Sequence, residues 1–235
     1  MHSPRNRFDI YAPVHKGLRA CFAHTLVNVG RLDYSDGAEV DAVTTEVLDL
    51  LVFCQKHLEK ENRFVHPAME ARRPGSAASA LTEHVHHEGD IAMLRELVLT
   101  LRQLPALRRQ AVAQQLYQRL AAFVTENLAH MAHEEREHNR VLWETHSDDE
   151  IRAIEAAIVG SLPPDEAQLS LRWMLTAMSA EERAGFLGGM RQHAPAEAFQ
   201  GVLAMLRPLL GERDRFKLDT ALGLPRRVAD VTGAV

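Results

Sequence analysis

The stretches 57-HLEKE-61 and 130-HMAHE-134 decide the reading of this chain. Each sets a histidine and a glutamate four residues apart, one helical turn, so imidazole and carboxylate point at the same volume if the segment is helical. Each also ends an apolar stripe: Val43, Val47, Leu50 and Phe53 lead into His57 and Glu61, and Leu116, Leu120 and Phe123 lead into His130 and Glu134. A polar pair that continues a hydrophobic seam is aimed at the core rather than at water.

Working outward, two further segments behave alike. A first helix over about 11–32 carries His15, Leu18, Phe22, Leu26 and Val29 on one face, with Pro13 tolerated in its first turn. A third helix over about 79–104 steps through His84, His87, Ile91, Leu94, Val98 and Leu101. The second helix opens near Ala38 and is expected to end before Pro67 and the turn 72-RRPGSAAS-79, and the fourth runs over about 105–144. No segment shows sustained strand alternation, so the expected class is all-α. The His-x-x-x-Glu echo suggests two helix pairs related by rough two-fold symmetry around one central site.

Eleven of the thirteen histidines lie between His15 and His146. Those on the inward stripes, His15, His57, His84, His87 and His130, with Glu61 and Glu134, form a ligand list for two divalent metal ions. With both carboxylates and a hydroxide bridging, the centre keeps about one unit of positive charge, tolerable in a partly buried site, and one open coordination position. An open position on a reduced iron pair is where dioxygen or another small diatomic binds. His24, His66, His86 and His133 read as surface or packing residues, and His138, one turn beyond Glu134, as a pocket-lining candidate.

His15 on a first helix, His57-xxx-Glu61 on a second, a histidine pair on a third and His130-xxx-Glu134 on a fourth resemble the hemerythrin-like, or HHE cation-binding, family over about residues 8–145. The resemblance implies an up-down four-helix bundle around a non-haem di-iron centre with an oxo or hydroxo bridge. It implies binding or sensing of dioxygen or nitric oxide, or, as the alternative, a redox enzyme, iron handling or iron-centre repair. The chain departs from the oxygen carriers in two places. Their third-helix pair is four apart, whereas His84 and His87 are three apart, and Glu88 offers the four-apart alternative; His87 is preferred because it continues the seam. Glu135 likewise stands beside Glu134 at the spacing those carriers use. Zinc or another divalent metal is the competing occupant, since zinc outcompetes ferrous iron for nitrogen-rich sites.

Composition bounds the rest. With 235 residues, 46% hydrophobic and 25% charged, the chain has the makings of a globular protein with a sizeable core. Its net charge of −5 is interspersed, without a basic stripe, so nucleic acid is not an expected partner. No stretch has the length of a membrane span and the N-terminus lacks an apolar signal core, so no membrane contact is expected. Cys21 and Cys54 read as isolated buried hydrophobes, which points to a reducing, cytoplasmic setting. Residues 147–224 form a C-terminal helical extension, with Ser147/Glu150 and Ser179/Glu182 as capping boxes and Trp143 and Trp173 packing at the junction. Three roles are open to it: packing on the bundle, capping it, or forming the surface of a homodimer. Residues 225–235 read as a frayed tail.

Overall fold

The computed structural model describes residues 7–224, and the described residues form helices and turns without a strand. Helix α1 (Ala12–Gly30) begins with Pro13 in its first turn. Helix α2 (Gly37–Lys60) is capped by Asp36, whose carboxylate accepts from the amides of Ala38 and Glu39 and so occupies donors that have no intrahelical partner. It runs through a five-residue π-helical turn, Glu61–Val65, into α3 (His66–Arg72). After a turn at Gly75 (φ +84°), where Glu70 accepts from the amides of Gly75 and Ala77, α4 (Ala78–Gln103) begins. Helix α5 (Arg109–His133) likewise passes through a π-helical turn, Glu134–His138, into α6 (Asn139–Thr145).

The expected end of the second helix before Pro67 is therefore corrected: the helix continues past it to Arg72. In a regular α-helix the pyrrolidine ring of Pro67 would clash with the carbonyl of Arg63. The π-helical turn immediately before it shifts bonding from i→i−4 to i→i−5 and moves that carbonyl aside.

Helix α1 packs on α2 and α5, and α4 packs on the same two helices. The stripes read from the sequence meet here, with Leu18, Phe22, Val47, Leu50, Phe53, Leu94, Val98, Leu116, Leu120 and Phe123 in one core. Phe22 and Phe123 meet edge to face with centroids 5.9 Å apart. Burying each such side chain contributes about 1.5–3 kcal/mol. A smaller cluster of Ile10, Tyr11, Val65, Met69, Val141, Leu142 and Ile151 closes the end of the helices beyond the two π-helical turns. The N-terminal segment is strapped across this end. Arg7 donates to Asp148 Oδ1 (2.5 Å) and to the carbonyls of Trp143 and His146 (2.7 Å each), while Trp143 donates to the Phe8 carbonyl.

Helices α7 (Asp148–Gly160) and α9 (Ala180–His193) start at the two expected capping boxes, Ser147/Glu150 and Ser179/Glu182. Helices α8 (Pro164–Ala177), α9, α10 (Ala196–Leu206) and α11 (Glu212–Leu222) surround a second core of Leu175, Leu187, Phe199, Leu203, Leu206 and Leu218, while α7 turns Ile151, Ile154 and Ile158 to the end cluster. Arg183 is buried in it and donates to the carbonyls of Leu175 and Met178, which α8 leaves without intrahelical donors at its end. Of the roles open to the extension, packing on the bundle and capping its end are both observed: Leu169 and Trp173 of α8 lie against the first core, and Ile151 of α7 belongs to the cluster at its end. No helix among the described residues is long and apolar enough to cross a membrane. The tail 225–235 lies outside the described residues.

The α1–α8 crossing depends on Gly17. A Cβ there would stand 2.9 Å from the Met174 nitrogen and 3.1 Å from its Cα, so backbone would have to move. Gly17→Ala is expected to lower stability by about 1–3 kcal/mol through overpacking, read as a fall in Tm. Cys21 and Cys54 are free and buried, and burial pushes the Cys21 thiol up to about 12. Iodoacetamide is therefore expected to leave both thiols unmodified in the folded protein at neutral pH and to alkylate both after denaturation; rapid labelling of the folded chain would contradict this.

Candidate metal centre

At the level where α2 and α5 pass into their π-helical turns, two carboxylates are buried side by side, Glu61 at 3% and Glu134 at 0% exposure. Each divides its two oxygens between two histidine pairs. Glu61 Oε1 stands 3.1 Å from His57 Nε2, and its Oε2 stands 3.4 Å from His84 Nε2. Glu134 Oε2 stands 3.5 Å from His15 Nε2, and its Oε1 stands 3.3 Å from His130 Nε2. Within the pairs, His15 Nε2 and His57 Nε2 are 3.2 Å apart, and His84 Nε2 and His130 Nε2 are 3.0 Å apart.

Two groups of four donors result: His15, His57, Glu61 and Glu134, and His84, His130, Glu61 and Glu134, each with its ligand atoms within 4.8 Å of one another. None of the four carboxylate oxygens has a hydrogen-bond partner. Buried carboxylates without partners are costly, and imidazole nitrogens about 2.0–2.2 Å from a shared metal would face each other at about the separations seen. The donor set therefore fits divalent cations. A family model described as Hemerythrin HHE cation binding domain matches residues 9–142. The chain belongs to the hemerythrin HHE family. No curated protein and no solved structure matches it.

A second layer fixes the rings of this hemerythrin-like centre. His15 Nδ1 is 3.0 Å from Glu135 Oε1, and Arg19 holds that carboxylate from its other side at 2.6 and 3.1 Å. His84 Nδ1 is 2.7 Å from Asn62 Oδ1, and His130 Nδ1 is 2.5 Å from Glu83 Oε2. An N–H on each Nδ1 donated to these oxygens leaves Nε2 bare for a metal and makes it more basic. Glu135 is thus the support of His15, while Glu134 is the residue that joins both donor groups.

Electrostatics divides the ligands unevenly. Burial pushes Glu61 well above the usual carboxylate range, and the neighbouring Glu134 adds to the shift. Burial acts on Glu134 in the same sense, but the neighbouring imidazoles of His130 and His15 outweigh it and hold that carboxyl well below its ordinary value. Burial and the neighbouring His15 push His57 well down, and burial with His130 lowers His84 to about 3. In His15 and His130 the carboxylate partners overcome burial and raise the values. The neutral imidazoles are already in the form that binds metal.

Six of the seven expected ligands converge, and His87 does not belong to either donor group. It is buried at 3%, but its ring packs edge-on against Phe123 and His130 at 6.1 and 5.0 Å. Three residues advance a helix by about 4.5 Å, so His87 sits nearly a turn deeper than His84, at the level of the apolar core. Glu88, the four-apart alternative, is exposed. His24 and His86 are exposed and His133 is half-buried.

His66 and His138 are instead buried beside the centre, at 2% and 1%, and with Glu134 form a third convergent group. The ring of His66 stacks on His84 at 5.1 Å, and Tyr11 Oη stands 3.1 Å from His138 Nδ1. Burial and the nearby carboxylates push the Tyr11 hydroxyl well up, so it remains the donor in that bond. The signal for these two histidines lay in the echo itself, since each follows its glutamate at four or five residues. Two substitutions separate the layers. His87→Ala is expected to retain the wild-type metal content, whereas Glu135→Ala is expected to weaken binding by about 10–100-fold, both read by competitive chelator titration. Loss of a full equivalent of metal in His87→Ala would put that residue back among the ligands.

Proposed function

We propose that this chain is a non-haem di-iron protein that binds or senses dioxygen, or another small diatomic such as nitric oxide. The metal-binding unit of this reading is an up-down four-helix bundle over residues 8–145, with 147–224 as a helical extension. One observation carries it: Glu61 and Glu134 each present one oxygen to a different histidine pair, with all four oxygens otherwise without partners. His15 and His57 would hold one iron, His84 and His130 the other, and the two glutamates would bridge them. When bound and reduced, such a pair supplies the electrons that hold a diatomic ligand.

The protein's own groups shape how that ligand is received. Nitrogen-rich donors with two carboxylates stabilise the ferric state less than carboxylate-rich sets do, which supports a binder over an oxidase. The apolar cluster of Ile10, Val65, Met69, Val141 and Leu142 keeps bulk water from the end of the centre. Buried and unpaired Cys21 and Cys54 accord with a reducing, cytoplasmic setting.

A specific observation favours the redox alternative. The Tyr11 hydroxyl donates to His138 Nδ1, and that nitrogen lies 3.8 Å from Glu134 Oε1, so a proton donor stands one imidazole away from that carboxylate. An enzyme that reduces its ligand needs protons at that point, and a reversible carrier does not.

Anaerobic loading with ferrous iron is expected to give two ions per chain, and oxygen is expected to raise a visible charge-transfer band that fades when oxygen is removed. A band that persists or decays to a ferric form would replace binding by redox turnover. Glu134→Gln is expected to lose most of the metal, because its oxygens serve both donor groups; full occupancy in that variant would overturn the bridged reading.

A further inference from the structure

Between α1, α2 and the C-terminal helices lies a cavity of about 130 Å³. Its walls are mainly apolar, with Val14 from α1, Phe53 from α2, Val65 from the first π-helical turn, and Ile158, Leu162 and Met174 from the extension, and Lys56, Lys60, Glu155 and Ser170 also line it. Where it meets the bundle it is lined by His57, Glu61 and Tyr11. Mainly apolar cavities of this size take up small apolar molecules such as xenon or benzene.

A second observation marks the same edge. The His57 side chain is 9% exposed, against 0% for His15 and Glu134, 1% for His84, 2% for His130 and 3% for Glu61. Of the six convergent ligands, His57 has the most surface left to offer a visitor, and it offers it on the cavity side. The extension is held in place at this edge by charge. Glu166 at the start of α8 stands 3.3 Å from Lys56 Nζ and 3.7 Å from Lys60 Nζ, and Lys60 also donates to the Ser161 carbonyl at 3.4 Å.

We propose that the C-terminal helices build the ligand pocket of the metal centre, α7 and α8 closing an apolar chamber over the His57–Glu61 edge through which an uncharged diatomic gas reaches the metals. This deepens the diatomic-binding reading and rests on it. Dioxygen and nitric oxide are small and uncharged, so they partition into a chamber whose walls are mainly apolar. The extension then does more than stabilise the bundle: side chains contributed by residues beyond position 147 set how fast the centre is reached.

The intact 235-residue chain tests this in two ways. Titration with xenon, followed by xenon NMR and by crystals under xenon pressure, is expected to place the gas in this chamber in the wild type and not in Ile158→Trp. Stopped-flow mixing of nitric oxide with the ferrous-loaded protein is expected to show association slowed by about tenfold or more in Ile158→Trp at unchanged metal content, and not slowed in Ile158→Ala. Val159 lines the same chamber and is 61% exposed, so Val159→Trp supplies a blocking variant that the fold tolerates should Ile158→Trp fail to fold. Absence of xenon from the wild-type chamber, or nitric oxide association unchanged in a folded blocking variant, would overturn the pocket. Nitric oxide reports on access to ferrous iron whatever the physiological ligand. A missing reversible oxygen band would therefore sink the dioxygen reading while these two measurements still judged the chamber.

Discussion

Two carboxylates buried against each other without hydrogen-bond donors are the constraint on which this structure turns. Taking an ion out of water costs several kcal/mol after relaxation, and two like charges in one apolar bundle add their repulsion. Glu61 and Glu134 respond as such a pair must, with burial and Glu134 driving Glu61 up while His130 and His15 hold Glu134 down. Within the protein alone only one of them has cationic company. Divalent cations held here would reverse this, since each oxygen would then meet a positive centre and each facing pair of Nε2 atoms would gain an acceptor for its lone pairs. Metal binding and the folding of this end of the bundle are therefore linked in free energy.

The two π-helical turns are the backbone counterpart of that constraint. Each begins at one of the buried glutamates, and each widens the helix where the ligands leave it. A π-helical turn has poorer hydrogen bonding than the α-helix around it and persists where packing or function holds it. Here the widening lets the helices resume with His66 and His138 turned back toward the centre, their rings 5.4 Å apart. The rough two-fold repeat in the sequence becomes a repeat of helix, glutamate, π-helical turn and histidine on two helices that face each other.

What could be read from the sequence was whatever follows from periodicity within one helix. The seams of α1, α2, α4 and α5, the His-x-x-x-Glu pairs and the two capping boxes all depend on neighbours a few residues away. His87 misled because it shares the seam with His84; a stripe specifies a face of the helix and leaves depth along the axis undetermined. Pro67 misled because its cost is reckoned against a regular α-helix, and a π-helical turn removes the clash. The acceptors Glu135, Asn62 and Glu83 for His15, His84 and His130 were out of reach because those contacts span 120, 22 and 47 residues. No local pattern records which carboxylate a ring will meet across the bundle.

Helix α1 shows why the extension and the centre cannot be treated as separate objects. His15 reaches the carboxylates from one face, while Gly17, two residues on, receives the backbone of Met174. Between them Lys16 bonds Glu182 at the start of α9. A displacement of α1 that relieved the α8 contact would also carry His15 away from Glu134, and a cation that fixed His15 would hold α1 in the position α8 requires. Coupling of this kind needs no pathway through intervening residues, because both contacts share one rigid helix. The close packing permitted by a single missing Cβ thus places the wall of the chamber and the first donor of the candidate centre on one structural element.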